Sequence, residues 1–295
     1  MIVTKLIGGL GNQIFQYAAG RRAAFINNTQ LKLDITGYEK QEGITPREYM
    51  LHDFNIQENF ASIAEIEKFK KIPRSFIGKY LSKVIKWITP FHRQSYIKER
   101  HFHFDPEILK IKENTYLEGY WASEKYFADI EDIIRSEFTF KKKPNEENKK
   151  MIDKIQNCNS VAIHIRRGDY ISDAKTREHH GSCGPDYYHQ AISIIAKKIS
   201  NPHFFLFSDD PDWVKANLKL TYPSFYINFN TGNKSYEDLR LISLCKHNII
   251  ANSSFGWWGA WLNKNPDKIV IAPRKWFQDD SINVEDLISK SWIRI

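Results

Sequence analysis

Cysteine is scarce in this chain of 295 residues: Cys158, Cys183 and Cys245 are the whole set. Their odd number, and the lack of any Cys-x-x-Cys, argue against a disulfide framework and against a zinc site. A reducing compartment suits such a chain. The three thiols are expected to pack as small, buried or half-buried apolar groups. Long apolar runs are lacking too: none approaches the roughly 18 residues of a spanning helix. The opening residues Met1-Ile2-Val3-Thr4-Lys5-Leu6-Ile7 lead straight into glycines. They do not show the basic, apolar and cleavage regions of a signal peptide, so a cytoplasmic protein is the expectation. Repeats, low-complexity tracts and known nucleic-acid motifs are also missing, and nucleic acid is not an expected partner. What remains is ordinary globular composition, 42% hydrophobic and 26% charged. That excludes a disordered tail or a collagen-like rod. At about 150 residues per domain, the length points to two domains.

Positive charge is abundant but local. The net charge is +8, from 43 Lys and Arg against 35 Asp and Glu. Ten of these cations fall between Lys68 and Arg100, against the single acid Glu99. The rest of the chain is therefore close to neutral. Within 68–100, Phe76, Ile77, Tyr80, Leu81, Val84, Ile85 and Ile88 recur at helical spacing, with Lys79, Lys83 and Lys86 on the opposite side. A basic amphipathic helix of this kind suits an anionic membrane surface. Most amphipathic helices, however, are surface helices packed on their own core with solvated lysines, and that is the plainer reading.

Strand-like apolar runs alternate with helical patterns: 2–7 then 13–25, 161–165 then 187–199, 204–207 then 213–218, and 249–251 then 255–262. Such alternation means parallel sheets with crossover helices, an α/β fold. The polar stretch Lys141-Lys142-Lys143-Pro144-Asn145-Glu146-Glu147-Asn148 interrupts it and is the linker candidate. Two α/β domains are expected, 1–155 and 156–295, the first carrying the basic segment 68–100.

Four groups of residues carry chemistry. Gly8-Gly9-Leu10-Gly11-Asn12-Gln13 lies between a strand and a helix. Glycines there let the backbone approach a ligand, and the helix start offers N–H groups to an anion. A merely tight turn needs the same residues. The dinucleotide fingerprint is not met, because Ile14 stands where its third glycine belongs. The run Val161-Ala162-Ile163-His164-Ile165-Arg166-Arg167-Gly168-Asp169 puts His164 and Arg166 on one face at a strand's carboxyl end, where α/β folds bind ligands. Arg166 is read as the ligand contact, with Arg167 and Asp169 as a supporting bridge that holds the turn.

The third group, Phe207-Ser208-Asp209-Asp210-Pro211-Asp212, ends another strand. Its Asp-x-Asp resembles a metal-binding pattern, but Asp before Pro is an ordinary helix start. Asp210 is therefore read as a cap, Asp209 as the ligand contact, and no metal ligand is assigned. The fourth, Asn252-Ser253-Ser254-Phe255-Gly256-Trp257-Trp258-Gly259, begins a helix after a strand. Paired serines and the first N–H groups suit phosphate oxygens. Plain capping over buried tryptophans is the other reading.

Together, Gly9-Leu10-Gly11-Asn12-Gln13, His164-Ile165-Arg166-Arg167-Gly168-Asp169-Tyr170 and Asn252-Ser253-Ser254-Phe255-Gly256-Trp257-Trp258-Gly259 resemble the α-1,2-fucosyltransferases of glycosyltransferase family 11. The motifs keep the family's order and span nearly the whole chain. The resemblance implies a GT-B fold, two Rossmann-like domains facing a cleft. It implies inverting, metal-independent transfer of fucose from GDP-fucose to the 2-hydroxyl of a β-galactoside in a glycan or lipid-linked oligosaccharide, without a cofactor. It implies Arg166 at the β-phosphate, His164 and Asp209 near guanine and ribose, and Ser253, Ser254 and Phe255 around the diphosphate. Gly11 and Asn12 would approach from the other domain, Asn12 with Arg166 as the catalytic pair. The motifs also fit another GDP-sugar or acceptor hydroxyl, or a binding module without catalysis. No base is assigned. Segment 172–186 reads as a loop over the site, and its Asp173, Glu178, His179, His180 and Asp186 are the nearby titratable groups. The two histidines are read as solvated loop residues.

Overall fold

The computed structural model describes residues 1–39, 46–70, 80 and 87–295. The chain divides into two compact units, Met1–Thr139 with Val284–Leu287, and Phe140–Asn283 with Ile288–Ile295.

The first unit is a parallel sheet of β1 (Ile2–Lys5), β2 (Leu31–Asp34), β3 (Tyr96–Lys98) and β4 (Thr115–Glu118), in the order β2-β1-β4-β3. Helix α1 (Leu10–Ile26) follows β1 and buries Ala18, Ala19, Gly20, Ala23 and Ala24. These small residues let it lie close to the sheet. A Cβ on Gly20 would reach 3.0 Å from both Thr4 and Leu31 side chains. A second helix, α2 (Ile63–Lys70), buries Ile66 against Val3 and Tyr116, and a short α3 (Glu131–Glu137) buries Ile134. The segment Val284–Leu287 belongs to this unit: the Ser123 hydroxyl donates to the Asp286 carbonyl at 2.6 Å, and Lys125 pairs with the Asp286 carboxylate.

The second unit holds six parallel strands in the order β10-β9-β8-β5-β6-β7. They are β5 (Asn159–Ile165), β6 (Pro202–Ser208), β7 (Ser224–Ile227), β8 (His247–Ile249), β9 (Val270–Ala272) and β10 (Ile293–Arg294). Side chains alternate between two cores, as strand geometry requires. Val161, Ile163, Ile165, Phe204 and Leu206 feed one, and Ala162, Phe205 and Phe207 feed the other. From β5 the chain runs outward to β6 and β7, then returns to β8 on the opposite side and continues to β9 and β10. The order reverses between β5 and β8, which is where doubly wound sheets bind ligands.

The division between the units falls at 139/140, ahead of the expected 155/156. The reason is α4 (Glu146–Gln156). Asn145 caps it, accepting the Asn148 N–H at 2.9 Å, so the polar linker candidate is a helix start. Its Ile155 is fully buried, and Met151 and Ile152 pack against the same core beneath β5 and β6. The amphipathic helix expected within 76–88, with Lys79, Lys83 and Lys86, lies mostly outside the described residues. Tyr80, Trp87 and Ile88 are described and exposed. No helix among the described residues is long and apolar enough to cross a membrane.

Candidate active site

The end of β5 is built around Arg166. Its Nη2 donates to Asp169 Oδ1 at 2.6 Å and its Nη1 pairs with Asp209 Oδ2 at 2.7 Å. Burial opposes the charge, but Asp209 and Asp169 outweigh it and hold the guanidinium above its ordinary pKa. The group is a fixed cation at a strand end. Asp209, just past β6, is held in turn: its Oδ1 accepts the Arg167 N–H at 2.8 Å. Gly168 makes room for this contact, since a Cβ there would lie 2.6 Å from Asp209 Oδ2.

The supporting bridge differs from the expected one. Asp169 pairs with Arg166, whereas Arg167 pairs with Asp210 at 3.1 Å and stacks over Trp213, 4.0 Å from the ring centroid. The chain turns into α5 (Gly168–Ser172) at Arg167, which aims its side chain at the β6 side. Asp210 also caps α8 (Pro211–Asn217), accepting the Trp213 N–H at 3.1 Å. The cap reading of Asp210 is the one observed.

The end of β8 lies beside it, and the Ala251 N–H donates to the His164 carbonyl at 3.1 Å. Helix α10 (Ser254–Leu262) starts here with Trp257 and Trp258 fully buried. Ser253 occupies the cap position, yet its hydroxyl makes no capping bond. The buried tryptophans are as expected; the plain cap is not. The helix therefore presents a start that the cap residue's side chain leaves unfilled, with Ser253 buried and Ser254 and Phe255 partly exposed. His164 lies under this helix, 5.4 Å from the Phe255 ring, and its Nδ1 is buried without a hydrogen-bond partner among the described residues. A Cβ on Gly256 would approach that nitrogen to 2.6 Å. Burial pulls the imidazole down to about 4, with Asp209 and Arg166 acting in opposite senses, so it is neutral at neutral pH.

Asn252 is a hub that sequence reasoning left among the motif residues without a role. Its Nδ2 donates to the carbonyls of His180 and Trp276, both at 3.0 Å, and its carbonyl accepts the Tyr170 hydroxyl at 3.2 Å. It ties β8 to the segment after Arg166. That segment is helical, where a loop was expected. Asp173 caps α6 (Ala174–His180), accepting the Thr176 N–H at 2.7 Å, and α7 (Pro185–Ala196) follows. His180 is not solvated: it stacks on Tyr170 at 4.8 Å, and burial, then His179, pull it down to about 4.

Gly11 and Asn12 belong to the first unit, at the start of α1 after β1. Gly8, with φ of 76°, closes the turn so tightly that a Cβ would meet Asn12 Nδ2 at 2.6 Å. Gln13 is structural: its amide donates to the carbonyls of Gly8 and Glu48 at 3.0 and 2.8 Å.

The sequence model of glycosyl transferase family 11 matches residues 1–295. An Escherichia coli protein named alpha-1,2-colitosyltransferase is 34% identical, covering 100% of this chain and 99% of the relative. A second Escherichia coli relative, the O-antigen biosynthesis glycosyltransferase WbnK, is 33% identical over 98% of this chain and 99% of its own length. The galactoside alpha-(1,2)-fucosyltransferase 2 of Hylobates lar is 24% identical over 68% of this chain and 58% of its own. Among solved structures, POFUT1 in complex with GDP-fucose aligns with a TM-score of 0.51 at 13% identity, covering 92% of this chain and 97% of that one. The fold is GT-B-like, α/β with parallel sheets.

Proposed function

Since the chain belongs to glycosyl transferase family 11, we propose that it is an inverting, metal-independent transferase moving fucose from GDP-fucose to the 2-hydroxyl of a β-galactoside. One observation carries the reading: the Arg166 fork at the β5/β8 switch point, beside a helix start that the Ser253 side chain leaves uncapped. A fixed guanidinium beside the N–H groups of a helix start suits a diphosphate. In the transfer, the acceptor oxygen attacks the anomeric carbon and the bond to the β-phosphate oxygen breaks. Charge grows on that phosphate, and Arg166 stabilises it more in the transition state than before. Ser253, Ser254 and the Phe255 N–H hold the diphosphate, and Asp209 positions Arg166. His164, buried and neutral, shapes the floor under Phe255.

Fucose is supported by the names of the Hylobates relative and of the POFUT1 complex. A second donor has support of its own, because the relative at 34% identity is named for colitose, which is fucose without its 3-hydroxyl. WbnK's name points to O-antigen synthesis and hence to a glycan or lipid-linked acceptor. The basic segment 68–100 and exposed Tyr80, Trp87 and Ile88 favour a peripheral contact with anionic membrane from a cytoplasmic setting.

The test is GDP release from purified protein in EDTA, with GDP-fucose and GDP-colitose, each with and without lactose. Acceptor-dependent release from GDP-fucose is expected, and linkage analysis of the product then reads the hydroxyl. Release from GDP-colitose alone moves the donor to the second reading. Release that requires manganese overturns metal independence.

A further inference from the structure

Tyr170 ends the motif that begins at His164, and the diphosphate contacts leave it without a role. It is buried in α5, one residue past Asp169. Its ring and its hydroxyl meet different parts of the second unit's site. The Arg166 guanidinium lies over the ring, 5.6 Å from the centroid, within the range of a cation–π contact. The hydroxyl donates to the Asn252 carbonyl at 3.2 Å. Asn252 directly precedes Ser253, so one side chain spans from the fixed cation to the start of α10.

Three contacts close a loop around this ring. His180 stacks on it, with centroids 4.8 Å apart and planes 7° from parallel. The His180 carbonyl accepts from Asn252 Nδ2 at 3.0 Å, and the Asn252 carbonyl in turn holds the Tyr170 hydroxyl. Asn252 Nδ2 also reaches the carbonyls of Gly181 at 3.3 Å and Trp276 at 3.0 Å, which anchors the loop on a further segment. A buried, connected network of this kind rigidifies its members. The two ion pairs tie the Arg166 side chain to α5 and to the end of β6. Its tie to the end of β8 runs through Tyr170. A diphosphate that meets both Arg166 and the α10 start needs the two at a set separation, and a misplacement of about 1 Å can lower the rate about 100-fold.

We propose that Tyr170 is a positioning residue of the transfer, setting the Arg166 fork against the start of α10 so that one diphosphate meets both. The proposal rests on the transferase reading above. As the bond from the anomeric carbon to the β-phosphate oxygen breaks, its electron pair stays on that oxygen and leaves with GDP. The guanidinium has to be in place before that charge grows. A loosened fork still attracts a bound diphosphate, but it no longer meets the charge where it develops. Tyr170 therefore acts on kcat more than on donor affinity.

Tyr170→Phe tests this, because it removes the hydroxyl tether and keeps the ring. Acceptor-dependent GDP release should fall about tenfold in kcat. Donor KM and calorimetric GDP affinity should change by less than about threefold. Tyr170→Leu, which also removes the aromatic face, should fall further, and Tyr170→Phe decides the matter should Tyr170→Leu not fold. The sharper comparison is made on Arg166→Lys. A residue that acts through the Arg166 fork loses its leverage once the fork is gone, so Tyr170→Phe should then lower the residual rate by less than about twofold. A merely structural role would lower the rate by the same factor in both backgrounds. Tyr170→Phe at wild-type kcat, a loss confined to donor KM, or an undiminished loss on Arg166→Lys overturns the role of Tyr170 and leaves the transferase reading standing. A wild type that turns over no GDP-sugar overturns that reading, and this proposal falls with it.

Discussion

The two units are both parallel sheets, and their strand ends carry opposite chemistry. The second unit's order reverses once, at β5/β8, whereas in the first unit's β2-β1-β4-β3 the steps from β1 to β2 and from β3 to β4 run the same way. Each places a glycine where a Cβ would strike a polar side chain, Gly119 against Glu99 and Gly168 against Asp209. At the second unit's edge the central group is a guanidinium held between two carboxylates. At the first unit's edge it is a carboxylate held by two backbone N–H groups and no cation among the described residues. The residue just past the strand therefore sets the charge that each edge presents. A cation framed by acids is pre-organised for an anion that displaces water rather than protein.

The largest expected effect breaks the contrast at its cationic end. Arg166→Lys keeps the charge and loses the fork that reaches Asp169 and Asp209 together. GDP release should fall about 100- to 1,000-fold, with an unchanged circular dichroism spectrum. An active Arg166→Lys protein would mean that no fixed guanidinium serves the leaving phosphate.

Next in size is Gly256→Ala. The methyl would come within 2.6 Å of His164 Nδ1, a nitrogen already buried and, among the described residues, without a partner. The helix gains from alanine by at most ~1 kcal/mol, and overpacking costs about 1–3 kcal/mol. The net is a lower melting temperature by a few degrees. A rise would show that α10 moves off β5 freely, and that the second edge is less rigid than the contrast requires.

Much of the second edge was legible because its elements are local and strongly patterned. An apolar run ending in Arg166, another ending at Asp209 and a third before Asn252 are visible one by one, and a parallel α/β fold brings strand ends together. Segment 174–180 was not legible. Ala174-Lys175-Thr176-Arg177-Glu178-His179-His180 has no apolar face, so periodicity gives no helix, and only the Asp173 cap marks it. The bridge partner of Arg167 depends on how the chain turns into α5, which spacing does not encode. The first edge was harder still. Strand β3 is three residues long, and β4 begins 17 residues after it ends. The lone acid Glu99 stood out in the composition of 68–100, but its place depends on non-local pairing.

The smallest effect sharpens the contrast by asking whether burial alone makes a carboxylate functional. Asp238, in α9 (Ser235–Leu244), also has no cation partner among the described residues. It accepts from Asn230 Nδ2 at 2.8 Å, and Asn230 is locked to Asn148 at 2.9 and 3.0 Å. Burial, then Glu237, push it up to about 7. The folded protein therefore keeps this proton up to about pH 7, whereas the unfolded chain releases it near the ordinary value of about 4. Stability from this group is full below pH 4, falls as pH rises between about 4 and 7, and is flat above. The full shift would be worth ~4 kcal/mol, and water reaching the partly exposed carboxyl reduces that to ~1–2 kcal/mol. His164 and His180, both pulled down to about 4, act in the opposite sense as pH falls below about 6.5. The informative quantity is thus the difference between Asp238→Asn and wild type, measured by denaturant at pH 5 and pH 8. The variant keeps the Asn230 contact and should gain ~1–2 kcal/mol at pH 8 relative to pH 5, with turnover unchanged. Lost turnover would make Asp238 a working carboxylate although it stands inside a helix and not at a strand end.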